Sequence, residues 1–132
     1  MTCRAYERTR GWKAALALVA HVYQLTADYP PDEKSGLAGA LRKAITALPL
    51  KAAECYEQTD YAKARAAFDA ADANLRDVLV LAQISQSLTI LSAKQVAYLS
   101  KKIDSTLLAL DAMIDELYED DGEVEIEADI AA

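Results

Sequence analysis

The chain has few of the residues that end helices or cross-link small folds. It contains three prolines, four glycines, two cysteines and a single histidine, tryptophan and phenylalanine. The scarcity of proline and glycine favours long helices. Valine, isoleucine and threonine are scattered, without the alternation that predicts strands. At 132 residues the chain is one domain that buries enough surface to fold without a disulfide or a metal.

The two cysteines, Cys3 and Cys55, are too few for a disulfide framework. They indicate a reducing compartment, and we expect a cytoplasmic protein. Cys55 lies in a helical pattern, where it is either a buried thiol or a reactive one.

The negative charge is confined to the end of the chain. Residues 119–132 contain seven acidic residues and no basic one, and the net charge of the whole chain is −7. Residues 1–118 are therefore neutral overall. A neutral body with a slightly basic first helix neither excludes nucleic acid nor provides a strongly basic footprint for it.

The first residues imitate a signal peptide, because basic residues precede the apolar run 14–20. Glu7 among the basic residues and His21 directly after the run argue against a signal peptide, and no clear cleavage site follows. The run is also far shorter than the roughly 20 residues that span a bilayer. We therefore expect no contact with a membrane.

Apolar residues at helical spacing predict four long helices. The predicted spans are about Cys3 to Ala27, Asp32 to Glu57, Asp60 to Gln86 and Ser92 to Tyr118. Short connections make consecutive helices antiparallel neighbours. The prediction is an all-α, up-down-up-down antiparallel four-helix bundle over residues 1–118. A disordered, solvated acidic tail over residues 119–132 follows it, although its alternation of Glu with Val and Ile taken alone would suit a strand.

Local signals refine these helices. Thr59 or Asp60 is a candidate N-cap of the third helix, and Ser92 with Gln95 fits a capping box at the start of the fourth. Pro49 lies inside the second helix, where a proline removes a backbone donor. We predict a kink or a local break there.

One apolar stripe per helix should form the core. In the first helix this stripe is Trp12, Leu16, Val19 and Tyr23. Across the four helices the predicted core residues are Trp12, Tyr23, Leu41, Phe68, Leu75, Leu99 and Leu107.

More apolar side chains are present than one bundle face needs, and an unburied surplus implies a partner chain. The candidate residues of an oligomer interface are Leu18, Val22, Leu25, Val80, Ile84 and Leu108. The alternative is that the many alanines let the bundle pack tightly and cover some of them.

No pattern of residues predicts a reaction. A di-iron bundle needs Glu-x-x-His motifs on two helices, but no glutamate stands three residues before His21, the only histidine. No hydroxyl or thiol has an evident base, and no glycine-rich phosphate loop is present. We expect no enzyme activity, no cofactor, no metal and no catalytic residue.

Basic residues on the first two helices are candidate contacts for nucleic acid. They are Arg4, Arg8, Arg10, Lys13, Arg42 and Lys43. Arg4 and Arg8 share a helix face, and an oligomer would multiply these charges into a patch able to bind phosphate. The alternative is an ordinary solvated face.

Several short motifs follow one another in a distinctive order. They are Trp12-Lys13-Ala14, Tyr29-Pro30, Leu41-Arg42-Lys43-Ala44, Leu48-Pro49, Ala53-Glu54 and Asn74-Leu75-Arg76-Asp77. In this order the chain resembles the four-helix-bundle family of 23S-rRNA-intervening-sequence proteins and the related accessory variability determinant of diversity-generating retroelements. The resemblance covers about Tyr6 to Tyr118. It implies an up-down bundle that assembles into a ring-shaped homopentamer, and for the retroelement member it implies binding to a reverse transcriptase and nucleic acid.

Two functions remain open at this point. The chain is either a non-catalytic oligomeric scaffold that binds a macromolecular partner, or a nucleic-acid-binding accessory protein of a reverse transcriptase. A homo-oligomer is expected in both cases, with a pentamer as the first expectation and a dimer as the second.

Overall fold

Helices account for all regular structure in the part of the chain that is described. The computed structural model describes the backbone of residues 5–131 and the side chains of residues 5–118. The helices are α1, Arg10–Ala27; α2, Leu37–Tyr56; α3, Tyr61–Ser87; and α4, Ala93–Ala131. Short 3₁₀ turns, Ala5–Arg8 and Pro31–Glu33, precede α1 and α2. The predicted all-α fold is confirmed.

The helices pack in sequence order around one core. Each helix contacts the next along the chain, and α4 returns to α1. Arg42, near the start of α2, donates to Thr26 near the end of α1. Tyr29, just after α1, donates to Ser85 near the end of α3 over 2.8 Å. These ties place the end of α1 beside the start of α2 and the end of α3, as an up-down-up-down bundle requires.

The predicted caps of α3 and α4 are present. The Asp60 carboxylate accepts a bond from the Lys63 N–H over 2.8 Å. Ser92 and Gln95 form a reciprocal capping box: the Ser92 N–H donates to Gln95 Oε1, and the Gln95 N–H donates to Ser92 Oγ. Such caps satisfy donors that a helix start leaves unpaired.

Both α1 and α2 start later than predicted. The Thr9 side chain caps α1 by accepting from the Trp12 N–H, so residues 5–8 form a separate 3₁₀ turn. In α2 the Glu33 carboxylate accepts from the Leu37 N–H over 3.0 Å, and Pro31–Glu33 is a second 3₁₀ turn. Side-chain caps compete with the backbone for these donors, which moves the helix starts.

Pro49 does not break α2. The helix is continuous from Leu37 to Tyr56 with the proline inside it. A local break is therefore not found, and a bend without loss of helix stays a prediction.

The predicted core is confirmed in its centre and wrong at two residues of α1. Leu41, Leu75 and Leu99 are buried, whereas Tyr23 is 40% exposed and Leu16, in the predicted stripe of the first helix, is 46% exposed. The remaining three predicted core residues are half-buried and pack against the core; they are Trp12, Phe68 and Leu107.

The error at Tyr23 comes from the rotation of α1. The buried stripe of α1 is Gly11, Ala15, Leu18, Val22 and Thr26. The predicted stripe lies next to it on the helix, rotated by one residue, or about 100°. It faces α2, since the Arg42 guanidinium stacks 4.6 Å from the centre of the Tyr23 ring.

The end of α4 continues past the bundle. Tyr118 is the last described side chain, and its hydroxyl donates to the Gln58 carbonyl just after α2 over 2.7 Å. The backbone of α4 remains helical to Ala131. The predicted end of the fourth helix, Tyr118, is therefore 13 residues too early. The side chains of residues 119–132 lie outside the described residues, and their separation from the bundle as a disordered, solvated tail stays a prediction. None of the helices described is long and apolar enough to cross a bilayer.

Candidate interaction surfaces

A row of aliphatic side chains lies exposed along the second half of α3 and at Leu88, the residue directly after the helix. Val80, Ile84 and Leu88 are spaced by four residues, and their exposed fractions are 47%, 41% and 56%. Side chains four apart lie on the same side of a helix. Together they form a continuous apolar surface, named here the α3 row, where a monomer would normally carry polar residues.

Leu108 is a second exposed apolar feature, on α4. Its side chain is 70% exposed and stands on a ridge between two grooves. The smaller groove, about 390 Å³, lies between α3 and α4 and has Phe68 and Leu107 in its floor and Asp104 and Asp111 at its edge. It is named here the α3–α4 groove.

The larger groove lies on the other side of Leu108, between α4 and the start of α1. Its volume is about 900 Å³, and it is named here the α1–α4 groove. Its lining residues are Arg8, Thr9, Arg10, Tyr56, Ser105, Leu108, Ala109, Ala112, Met113, Glu116 and Leu117. Ala109 and Ala112 in its lining have short side chains that leave space in the groove, and both arginines are exposed at its edge.

The predicted interface residues divide into two groups. Val80, Ile84 and Leu108 are exposed, as an interface requires. Leu18 and Val22 are 1% exposed and belong to the core of the single chain, so their assignment to an interface is wrong. Their assignment followed from the wrong rotation of α1. Leu25 is half-buried and packs against the core.

The prediction of interface residues missed two further exposed leucines, Leu88 and Leu50. Leu88 extends the α3 row by one turn, and the same four-residue spacing could have identified it. Leu50 is 68% exposed on α2. No periodic signal marks it, because its neighbours one turn away are polar or small.

Three of the predicted basic contacts lie together at one end of the bundle. Arg8, Arg10 and Lys13 are exposed around the start of α1. Among the described side chains, none of the three forms an ion pair. Arg4 precedes them but lies outside the described residues.

Arg42 and Lys43 lie at the opposite end of the bundle. Arg42 donates to Thr26 Oγ1 over 2.8 Å and to the Tyr23 carbonyl over 3.3 Å. Arg10 and Tyr23 are separated by about 20 Å along α1. The structure therefore does not bring all the predicted basic residues together, and it gives Arg42 a structural role at the end of α1. Lys43 is exposed.

Reactive side chains are not assembled into a site in the described part of the chain. Cys55 is fully buried, and burial raises the pKa of its thiol to about 11. His21 lies between α1 and α4 with its ring 5.2 Å from that of Tyr98. Burial, together with the charge of Lys102, lowers the pKa of His21. No cluster of potential metal ligands occurs among the described residues.

Comparison with protein families gives a match that covers most of the chain. Residues 7–112 match the model of the 23S rRNA-intervening sequence protein family, from the 3₁₀ turn before α1 into α4. No curated protein sequence matches the chain. The matched region contains the α3 row, Leu108 and the basic end of the bundle.

Proposed function

The chain belongs to the 23S rRNA-intervening sequence protein family, and we propose that it is a non-catalytic scaffold that assembles with copies of itself and presents the assembly to a macromolecular partner. The observation that carries this proposal is the α3 row. Three aliphatic side chains in line, each more than two fifths exposed, are costly to leave in water, because full burial of an exposed aliphatic side chain contributes about 1.5–3 kcal/mol and these three are about half-exposed.

A ring needs two different surfaces on each chain. One surface of a chain contacts the other surface of its neighbour, and the contact repeats until the ring closes. The α3 row supplies a convex apolar surface, and the α3–α4 groove beside Leu108 supplies a concave apolar one. The resemblance implies a pentamer, and a dimer is the second expectation.

Charge substitutions in the α3 row test the proposal. Val80→Glu and Ile84→Glu each place a carboxylate in the proposed contact and should dissociate the assembly without loss of helicity, since both side chains are exposed in the single chain. The measurements are sedimentation velocity and far-ultraviolet circular dichroism.

Leu50→Glu is the matched control. Leu50 is at least as exposed as the row but stands alone on α2, so the same change should leave the mass of the assembly unaltered. If Val80→Glu and Ile84→Glu preserve the mass, or if Leu50→Glu dissociates the assembly equally well, the α3 row is not the contact.

The second candidate function is an accessory protein of a reverse transcriptase that binds nucleic acid. The observation that favours it is the group of three exposed cations, Arg8, Arg10 and Lys13, at one end of the bundle. If it is correct, a labelled RNA binds with an affinity that falls steeply with salt, and Arg10→Glu weakens binding more than Lys63→Glu. Absent or salt-independent binding would exclude this function.

A further inference from the structure

We propose that the acidic segment of a second copy, residues 119–132, lies in the α1–α4 groove of this chain. The inference rests on the proposed self-assembly, since it needs a second copy beside the first. Four observations carry it: the charges at the groove, the composition of the segment, the direction of α4 and the lining of the groove.

The groove has positively charged side chains at its edge that form no ion pair with the described residues of the bundle. Arg8 and Arg10 are exposed at its edge, and among the described residues neither forms an ion pair. Glu116 is the one acidic residue in the lining. Cations at the first turn of α1 are also unfavourable to its macrodipole, so an anion placed there relieves an existing repulsion.

The segment has the complementary composition. It contains seven acidic residues and no basic one, in a chain whose remaining residues are neutral overall. Between the carboxylates stand Val124, Ile126 and Ile130. In a helix, Ile126 and Ile130 share one face because they are four residues apart, whereas Val124 lies on the other side. The segment therefore offers two apolar side chains to the floor of the groove and carboxylates to its edge.

The direction of α4 makes a second copy the source of the segment. Residues 105–117, which line the chain's own groove, precede the segment on the same helix. The helix continues without interruption for about 13 residues beyond Tyr118, a length of about 20 Å. A continuous helix cannot turn back onto its own preceding residues, but it can reach the groove of a neighbour.

The lining fits an added segment. Leu108 is 70% exposed at one side of the groove, and Ala109 and Ala112 leave room above the floor. A volume of about 900 Å³ holds several side chains, since small-molecule sites of about 300–1,000 Å³ bury most of a ligand.

Cross-linking between differently tagged full-length chains tests the inference. One chain carries Leu108→Cys or Ala112→Cys, and the other carries Val124→Cys, Ile126→Cys or Ile130→Cys, all in a Cys3→Ser background. Cys55 stays in place because it is fully buried and burial raises its pKa to about 11. A short bis-maleimide should join the two tags in at least one pairing, and chains with a single added cysteine of one kind should give little product.

Charge reversal at the groove tests whether the arginines bind the acidic segment through its negative charge. Arg8→Glu with Arg10→Glu should lower the cross-linking rate on the order of tenfold, the effect of losing two exposed ion pairs. Lys63→Glu is the matched control, because Lys63 is an exposed cation in the first turn of α3. High salt should reduce the rate in the unreversed chain.

The outcomes separate this inference from the assembly itself. Chains that assemble but give no mixed product in any pairing overturn the inference and leave the assembly intact. A product formed within a single diluted chain that carries both cysteines overturns the choice of a second copy. An equal rate after charge reversal overturns recognition by charge. A full-length chain that stays monomeric overturns the proposed function and this inference together.

Discussion

At the scale of single residues, Thr89 is the most unusual position in the backbone. It has φ of 60° in the connection between α3 and α4, a conformation that is unfavourable for a β-branched residue. Its N–H donates to the Gln86 carbonyl, and the next N–H, of Ile90, donates to the Ser85 carbonyl. The conformation is kept because it pairs the last carbonyls of α3.

Thr89→Gly should therefore stabilise the protein. Glycine adopts positive φ without the steric cost of about 1–2 kcal/mol that other residues meet, although it gains entropy in the unfolded chain. We expect the free energy of unfolding to rise by about 0.5–1 kcal/mol in urea titrations. Thr89→Ala keeps a Cβ and should give little gain. A loss of stability with glycine would mean that the hydrogen bond from the Thr89 hydroxyl to the Leu88 carbonyl stabilises the turn more than the relief of backbone strain does.

His21 should make the stability depend on pH. Its Nε2 atom is buried and has no hydrogen-bond partner among the described residues, and burial with the charge of Lys102 lowers its pKa. Below the unfolded pKa of about 6.5, the unfolded chain takes up a proton that the folded chain resists, so stability falls as the pH falls. Well above a pH of about 6.5, His21 is neutral in both the folded and the unfolded chain, so it adds nothing to the pH dependence of stability there.

The measurement is a pair of urea titrations, at about pH 7.5 and about pH 5.5, either side of the unfolded pKa. His21→Leu should lose less stability between the two values than the wild-type chain. An equal loss in both chains would show that other groups cause the dependence.

At the scale of helices, sequence reasoning identified the four helices and the caps of α3 and α4, but neither the caps of α1 and α2 nor the rotation of α1. Caps such as Asp60 and Ser92 depend on residues within one turn, which the sequence displays directly. The rotation depends on the neighbouring helices. Two stripes in α1 are both apolar, and the one with the smaller residues, Gly11 and Ala15, is buried because it lets α4 approach closely.

Gly11→Ala should destabilise the chain although alanine is the better helix former. A Cβ on Gly11 would lie 2.9 Å from Leu110 Cδ2 and 3.2 Å from the Met113 sulfur, and Leu110 is fully buried in the core. Overpacking of this kind costs about 1–3 kcal/mol, against a gain of up to about 1 kcal/mol in helix propensity.

A double-mutant cycle checks the cause. In a Leu110→Ala background the closest contact is gone and the flexible Met113 side chain can move aside, so Gly11→Ala should then cost little or stabilise the helix. The quantity compared is the free energy of unfolding from urea titrations. An unchanged cost in that background would place the clash elsewhere.

Arg42 and Lys43 were both predicted to contact nucleic acid, but in the structure only Arg42 is tied to the end of α1. Measurements of stability should therefore distinguish the two residues. Arg42→Met loses two hydrogen bonds at the end of α1 and the stacking on Tyr23, so we expect a loss of about 1–2 kcal/mol. Lys43→Met removes an exposed charge and should change the free energy of unfolding by less than about 0.5 kcal/mol. Equal effects in thermal and urea unfolding would contradict the structural role of Arg42.

At the scale of the whole molecule, the pattern of apolar residues was enough to predict an all-α bundle, since four long periodic segments with short connections allow few arrangements. The same pattern could not separate surplus apolar residues from core residues. Leu18 and Val22 are core, whereas Val80, Ile84 and Leu108 are exposed. The packing of the helices determines which apolar residues stay exposed and available to contact a partner chain.

The distribution of charge was likewise predictable from the sequence in part, and the rest required the packed helices. The bundle is neutral overall and the last residues carry the net charge of −7, which the sequence displays directly. The structure adds the location of Arg8 and Arg10, which border the α1–α4 groove. That location depends on the pairing of α1 with α4 and could not be read from the order of residues.

The central claim is that the chain assembles with itself, and the mass of the full-length chain in solution tests it most directly. Sedimentation equilibrium or light scattering at micromolar concentration should give a multiple of the 14.3 kDa of one chain, with a pentamer as the expected species. A mass of 14.3 kDa that persists as the protein is concentrated would contradict the claim and leave the α3 row without a partner.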